Sequence, residues 1–238
     1  MSTEELLGGA GPASPGTSTD ETTKRLYRVA GLGGVGAFVA WLGQPILVFL
    51  VIGAQGDTVP DWSEIESSRY NGLIEVLIFS TIGLGLLFLV LATWRLMRRR
   101  TSSPSVAATA GHVMGMIAAL SWFLVSANSF RTFTSVGAGI PGVTGDPTLQ
   151  RVITEGTALD ITGSLLLFVL GYTGWVVMVA TVGRRTGLFG LPLTLVLVVS
   201  VLGWVPMLAV PFSFPWPLMG FMVTMLVLGI VFLVRSRR

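Results

Sequence analysis

The sequence has no cysteine and only one histidine, His112. Without cysteine the chain forms no disulfide, no thiolate metal site and no cysteine nucleophile. A single imidazole also argues against a haem with two histidine ligands and against a zinc site built on several histidines. We therefore expect neither a cofactor nor a metal site.

Charged residues are also scarce, at 11% of the 238 residues against roughly 25% in a typical soluble domain. Hydrophobic residues make up 52%, and the mean hydropathy is +0.77. Such a chain has too few polar groups to cover a soluble surface, which predicts one membrane domain with the lipid bilayer as a partner. We expect no nucleic-acid partner despite the pI of about 9.9, because the basic residues form no single patch.

Residues 1–23 are rich in Gly, Ser, Thr and Pro, with scattered acids. Such a segment buries too little apolar surface to offset the entropy lost on ordering. We therefore predict a disordered cytoplasmic tail at 1–23 and a transmembrane domain at 24–238. A signal peptide is the alternative, but no short apolar stretch precedes a small-residue cleavage site, so we expect the tail to be retained.

Six apolar stretches follow, near 27–53, 72–95, 105–127, 157–182, 188–210 and 215–234. Each has about 20 residues or more, enough for a helix to cross ~30 Å of hydrocarbon. Lipid offers no partner for backbone N–H and C=O groups, and the alternation of barrel strands is absent. We therefore predict an all-α, polytopic membrane protein with six transmembrane helices.

The basic residues indicate the orientation of these helices. Twelve of the 15 lie at or before the start of the first stretch, or at or after the end of the second, fourth and sixth: Lys24, Arg25, Arg28, Arg95, Arg98, Arg99, Arg100, Arg184, Arg185, Arg235, Arg237 and Arg238. The opposite side holds Arg69, Arg131 and Arg151, together with eight acids. By the positive-inside rule, both termini are cytoplasmic in a multi-pass protein of the cell membrane.

The proline-rich run at 211–217 separates the fifth and sixth stretches. Proline ends one helix and begins the next, so we predict a helical hairpin there. One long kinked helix is the alternative, and it would place the final arginines on the opposite side of the membrane.

Residues 27–100 and 107–185 share a pattern. An acid heads each returning helix, Glu75 and Asp160, and each leading helix carries a tryptophan, Trp41 and Trp122, ten or eleven residues after an Ala-Gly pair. Both copies would face the same way, which indicates a parallel repeat of helices 1–2 and 3–4 about an axis along the membrane normal. Chance matching of apolar segments is the alternative.

Five polar residues near the outer ends of the helices form the candidate ligand- or ion-binding site: Gln44, Glu75, Asn128, Arg131 and Asp160. An ionisable group at membrane depth costs at least a few kcal/mol unless it is paired or hydrated. We expect Arg131 to neutralise one or both acids. The structural alternative is that the acids reach the headgroups, or that an Arg–Asp pair only joins two helices.

His112 lies near the cytoplasmic end of the third stretch. An unperturbed imidazole has a pKa of about 6.5, so a proton-linked role is one interpretation. No second titrating residue is expected at its depth. A hydrogen-bonded packing histidine is the alternative.

Small residues recur at four-residue spacing, as in Gly33 and Ala37 of the first helix and Gly111 and Gly115 of the third. They allow close approach of helix backbones, which predicts a tight bundle with helices one, three and four at its centre. The run 31–36 matches Gly-x-Gly-x-x-Gly, but it lacks the preceding strand that a dinucleotide site requires.

The segment Lys24-Arg25-Leu26-Tyr27-Arg28-Val29-Ala30-Gly31, followed by six helices with an acidic first outer loop, resembles the uncharacterised six-helix integral-membrane proteins of bacteria that are grouped as domains of unknown function. The resemblance covers most of the chain after residue 23. It implies the fold class and no functional residues.

Three classes of function are compatible with this sequence. The first is a non-catalytic membrane subunit, sensor or assembly factor, which would act with another membrane subunit or as a homo-oligomer. The second is a small solute or ion transporter or channel that uses the outer polar residues. A lipid-modifying membrane enzyme has the least support, because the sequence has no recognisable nucleophile–base or metal constellation, and we expect no catalytic residues.

Overall fold

The computed structural model describes residues 15–47, 69–101, 105–137, 146–202 and 215–237. These residues contain no strand and form six helices: α1 (Pro15–Leu47), α2 (Arg69–Arg98), α3 (Val106–Gly137), α4 (Pro147–Arg185), α5 (Leu191–Leu202) and α6 (Pro215–Ser236). The prediction of an all-α chain is confirmed for this part of the protein.

Five of the helices contain a segment long and apolar enough to cross a membrane: Asp20–Gly43, Leu73–Arg98, Val106–Arg131, Gly163–Arg185 and Met219–Ser236. The remaining helix, α5, is apolar but has only 12 residues. The predicted stretch at 188–210 runs past its end into residues 203–210, which lie outside the described part of the chain, as does most of the predicted hairpin connection at 211–217.

The first helix begins earlier than the composition of the tail suggests. We expected residues 1–23 to be disordered, yet α1 begins at Pro15, while residues 1–14 lie outside the described part. Asp20 and Lys24 pair at 3.2 Å, and Glu21 and Arg25 pair at 2.7 Å. Both pairs have the four-residue spacing that favours a helix, and proline is well suited to a first helical turn.

The six helices form a closed ring in chain order. Each packs against the next, from α1 to α6, and α6 packs back against α1. We expected helices one, three and four at the centre of a bundle. Instead, side chains from the ring fill its middle.

Trp122 of α3 is the side chain around which the ring packs, and it is only 2% exposed. Its ring centroid lies 5.6 Å from that of Trp41 on α1 and 5.7 Å from that of Phe79 on α2. It also lies 5.1 Å from Phe168 on α4 and 6.0 Å from Phe221 on α6. These separations are those at which aromatic pairs attract, so one residue ties five helices together.

Glycines set the closest approaches between neighbouring helices. A Cβ atom added to Gly85 of α2 would lie 2.5 Å from the carbonyl oxygen of Gly33 on α1. On the other side of α1, a Cβ atom on Gly34 would lie 2.7 Å from the carbonyl oxygen of Met225 on α6. Close backbone packing replaces the hydrophobic driving force that is missing between helices in lipid.

We predict that Gly85→Ala lowers the midpoint of thermal unfolding in detergent, because the added methyl group meets backbone atoms and overpacking costs about 1–3 kcal/mol. Gly36→Ala on α1 is the matched control, since a Cβ there meets nothing within 4 Å. Its midpoint should stay the same or rise, because alanine is the better helix former. Equal midpoints for the two variants would contradict the proposed contact between α1 and α2.

Candidate functional site

Arg131 and Asp160 form an ion pair between α3 and α4, with 3.0 Å between guanidinium nitrogen and carboxylate oxygen. Arg131 is the last residue of the apolar segment of α3, and Asp160 lies three residues before that of α4 begins. The two side chains are 49% and 50% exposed. The sequence predicted that Arg131 would neutralise an acid, and the structure brings these two residues together.

Glu75 lies near the start of α2, in the same region of the ring as the ion pair. Its side chain is half-buried. The hydroxyl of Ser129 on α3, two residues before Arg131, faces its carboxylate without completing a well-formed hydrogen bond. We call the end of the ring that carries Glu75, Arg131 and Asp160 the acidic end.

A serine pair joins α2 and α3 one turn further from the acidic end. The Oγ atoms of Ser80 and Ser126 lie 2.8 Å apart. The Ser126 hydroxyl donates to the carbonyl oxygen of Val76 at 3.1 Å, so the proton between the two serines comes from Ser80. Sequence reasoning missed this pair, although serine within an apolar helix is itself a signal of contact between helices.

The other two predicted site residues, Asn128 and Gln44, lie on α3 and α1. Asn128 is half-buried on α3, three residues before Arg131. Gln44 lies in the last turn of α1, but only its backbone belongs to the described structure. The structure therefore brings three of the five predicted residues to the acidic end, and the convergence of all five stays a prediction.

His112 lies near the opposite end of the ring, which we call the basic end because α2, α4 and α6 finish there with arginines. Its ring stacks on Trp94 of α2, with centroids 4.9 Å apart and an interplanar angle of 9°. The guanidinium carbon of Arg98 lies 5.9 Å from the Trp94 ring centroid. Among the described residues, the buried Nδ1 atom of His112 has no hydrogen-bond partner. A proton-linked role for His112 stays a prediction.

Beside this group, a cavity of about 180 Å³ opens where α2 ends, α3 begins and α4 ends. Its lining combines two arginines, three hydroxyl residues and four apolar residues: Arg98, Arg185, Thr101, Ser105, Thr186, Trp94, Met97, Ala108 and Val182. Sequence reasoning missed this cavity, because it assigned Arg98 and Arg185 to membrane orientation. The four-residue spacing of Trp94 and Arg98 was the available signal.

The described residues contain no group of three or more His, Asp or Glu side chains that could hold a metal ion. The chemistry at the acidic end is that of one ion pair with a neighbouring carboxylate. At the basic end it is that of two arginine residues at the edge of a largely apolar cavity.

We predict that Asp160→Arg and Arg131→Asp each lower the unfolding midpoint, because like charges then meet where α3 and α4 pack. The double reversal should recover most of the loss. An exposed ion pair contributes only up to about 1 kcal/mol, so the recovery is a more decisive measure than either single loss. Thermal unfolding of the four proteins in detergent gives the coupling energy between the two positions. Additive losses in the double variant would show that the two side chains do not interact.

Comparison of the chain with protein-family models, with curated proteins and with solved structures found no match. The resemblance to the bacterial six-helix membrane proteins therefore stays a prediction.

Proposed function

We propose that the chain is a multi-pass protein of the cell membrane that acts as a non-catalytic membrane subunit, sensor or assembly factor. In this proposal it crosses the bilayer six times and has both termini in the cytoplasm. The filled centre of the helix ring is the observation that carries the proposal.

A solute pathway through a helix ring requires polar groups along a hydrated passage. In this ring, Trp122 occupies the middle, and Phe168 and Phe221 contact it and each other, with their own centroids 4.9 Å apart. Tyr172 extends the aromatic group, at 5.4 Å from Phe221. This packing favours a closed bundle over a central channel.

The polar side chains of the ring also join helices to one another. Arg131 pairs with Asp160 between α3 and α4, and Ser80 pairs with Ser126 between α2 and α3. A third contact, between the hydroxyl groups of Tyr172 and Ser200 at 3.2 Å, joins α4 to α5. Hydrogen bonds between helices are a recognised means of association in membranes, so these contacts support a structural role for the polar residues.

A transporter is the second candidate, and the exposure of the Arg131–Asp160 pair favours it. Both side chains are half-exposed, with Glu75 on the adjacent helix. An ion pair that opens and closes at one end of the ring would provide a gate. This alternative requires a pathway that avoids the filled centre.

The aromatic centre supports the parallel repeat. Trp41 and Trp122 hold equivalent positions in the two copies of the repeat, and they contact each other edge to face. Two equivalent residues meet only on the axis that relates them. In addition, close-packing glycines follow the two equivalent acids at nearly the same distance, Gly85 ten residues after Glu75 and Gly171 eleven residues after Asp160.

The absence of native cysteine permits a direct test of topology. Thr148→Cys, Ser213→Cys and Arg237→Cys should each give one labelling site on an otherwise unreactive chain. With six crossings and cytoplasmic termini, a membrane-impermeant maleimide should label positions 148 and 213 in intact cells. Position 237 should react only after permeabilisation. Labelling of both positions 148 and 237 in intact cells would show that the last apolar stretches form a single crossing, whereas labelling of position 237 without position 148 would show the inverted orientation.

We predict that the purified protein, reconstituted in vesicles, leaves the permeability to K⁺, Na⁺, Cl⁻ and small organic solutes at the level of protein-free vesicles. The filled centre of the ring is the reason. Flux that Arg131→Gln or Asp160→Asn abolishes would overturn the proposal in favour of the transporter. Leu120→Ala, at an exposed apolar position of α3, controls for the effect of substitution itself.

A further inference from the structure

The cavity at the basic end brings two positive charges to one space. Arg98 ends α2, Arg185 ends α4, and both residues belong to the lining of the cavity. Neither arginine forms an ion pair with another residue in the described part of the chain. Two guanidinium groups that share a cavity repel each other, and an anion between them would remove this repulsion.

Hydroxyl residues line the cavity beside the two arginines, and the hydroxyls of Thr101 and Thr186 donate to the backbone carbonyls of Met97 and Gly183. Thr101, Ser105 and Thr186 each contribute a hydroxyl residue to the lining. Ser105 precedes the first residue of α3, and its Oγ accepts from the backbone N–H of Ala108 at 3.2 Å. The N-terminus of α3 therefore opens at the cavity, and the partial positive charge of a helix N-terminus adds to that of the arginines.

The position of Thr186 is held by a further arginine. Arg100 donates to the backbone carbonyl of Thr186 at 3.4 Å and to the hydroxyl of Tyr27 on α1 at 3.3 Å. Its charge thus lies close to the cavity, while its hydrogen bonds attach the segment after α4 to α1. The rim of the cavity is built from three helices and the turn that follows α4.

The remaining wall of the cavity is apolar. Trp94, Met97, Ala108 and Val182 form it, and Trp94 is held in place by its stacking on His112. Tryptophan is enriched at the level of lipid headgroups, and the cavity lies at the ends of apolar segments that are long enough to cross a membrane. An amphipathic ligand with an anionic head would match both walls.

We infer that this cavity binds a phosphate group, and that the ligand is the headgroup of an anionic phospholipid. Arginine presents several N–H donors in a planar fork that matches phosphate oxygens. The volume of about 180 Å³ is several times that of one water molecule, which leaves room for a phosphate group. This binding is independent of the orientation of the chain in the membrane and of the role proposed for the acidic end.

The test is native mass spectrometry of the full-length protein in detergent, titrated with dimyristoyl phosphatidic acid or with dimyristoyl phosphatidylcholine. We expect preferential adducts with phosphatidic acid. Arg98→Gln and Arg185→Gln should each weaken them about tenfold, a change that corresponds to about 1.4 kcal/mol. Arg95→Gln and Arg184→Gln are matched controls, because they remove the same charge from exposed positions of the same two helices outside the lining.

A further variant tests the space in the cavity and leaves all the arginines in place. Ala108 is 4% exposed and lines the cavity, so Ala108→Leu should fill the space and weaken the phosphatidic acid adduct as strongly as either arginine variant. Only preparations that remain monodisperse with an unchanged helical spectrum are compared. If Ala108→Leu binds normally, or if the control arginine variants lose as much affinity as Arg98→Gln, the attraction is a diffuse surface effect and the inference is overturned.

Competition with inorganic phosphate distinguishes a lipid headgroup from a soluble phosphate as the ligand. The apolar wall leads us to expect that millimolar phosphate competes weakly with phosphatidic acid. If phosphate displaces the lipid completely and its effect disappears in Arg98→Gln and Arg185→Gln, a phosphate site is upheld but its ligand is a soluble phosphate. Equal adducts with both lipids in the unmodified protein would overturn the inference.

Discussion

A backbone amide or carbonyl group in hydrocarbon has no water to bond with, and the helical folding of the apolar stretches of this chain depends on that constraint. It makes the apolar stretches helical and leaves little hydrophobic force to hold those helices together. Close packing and a few polar contacts must then provide the association. Gly33 and Gly85 allow two helix backbones to come into contact, and the Ser80 hydroxyl donates a hydrogen bond to that of Ser126 on the adjacent helix.

One large side chain at the centre of the ring connects the packing of most of its helices. Trp122 contacts rings from four other helices, so the packing of each helix depends on that of the others. The two ends of the ring differ in chemistry. At the acidic end Arg131 and Asp160 neutralise each other, whereas at the basic end Arg98 and Arg185 share a cavity. A charge pair between helices stabilises their packing, while two like charges around a space favour a ligand of opposite charge.

Much of the acidic end could be predicted from the sequence, because hydropathy fixes the depth of a residue and opposite charges at equal depth tend to pair. Arg131 and Asp160 were placed together on that basis. The basic end was not anticipated, because arginines after an apolar stretch also orient helices in the membrane and the sequence pattern is the same for both roles. The helix at residues 15–23 was missed for a related reason. Its composition is that of a disordered tail, but the spacing of Asp20 and Lys24 favours a helix.

The sequence by itself determined that the described chain is helical, and it predicted six crossings, of which five described helices are long and apolar enough, since both properties depend on composition and segment length. It also indicated which polar residues lie near the ends of the apolar segments, as Arg131 and Asp160 do. Only the tertiary structure decided that the helices form a closed ring, that Trp122 fills its centre and that two arginines face one cavity. These features depend on the rotation of each helix about its axis and on the choice of neighbours. A helix that is apolar on nearly every face has no sequence periodicity that indicates its rotation or its neighbours. The fit of side chains between helices therefore determines both.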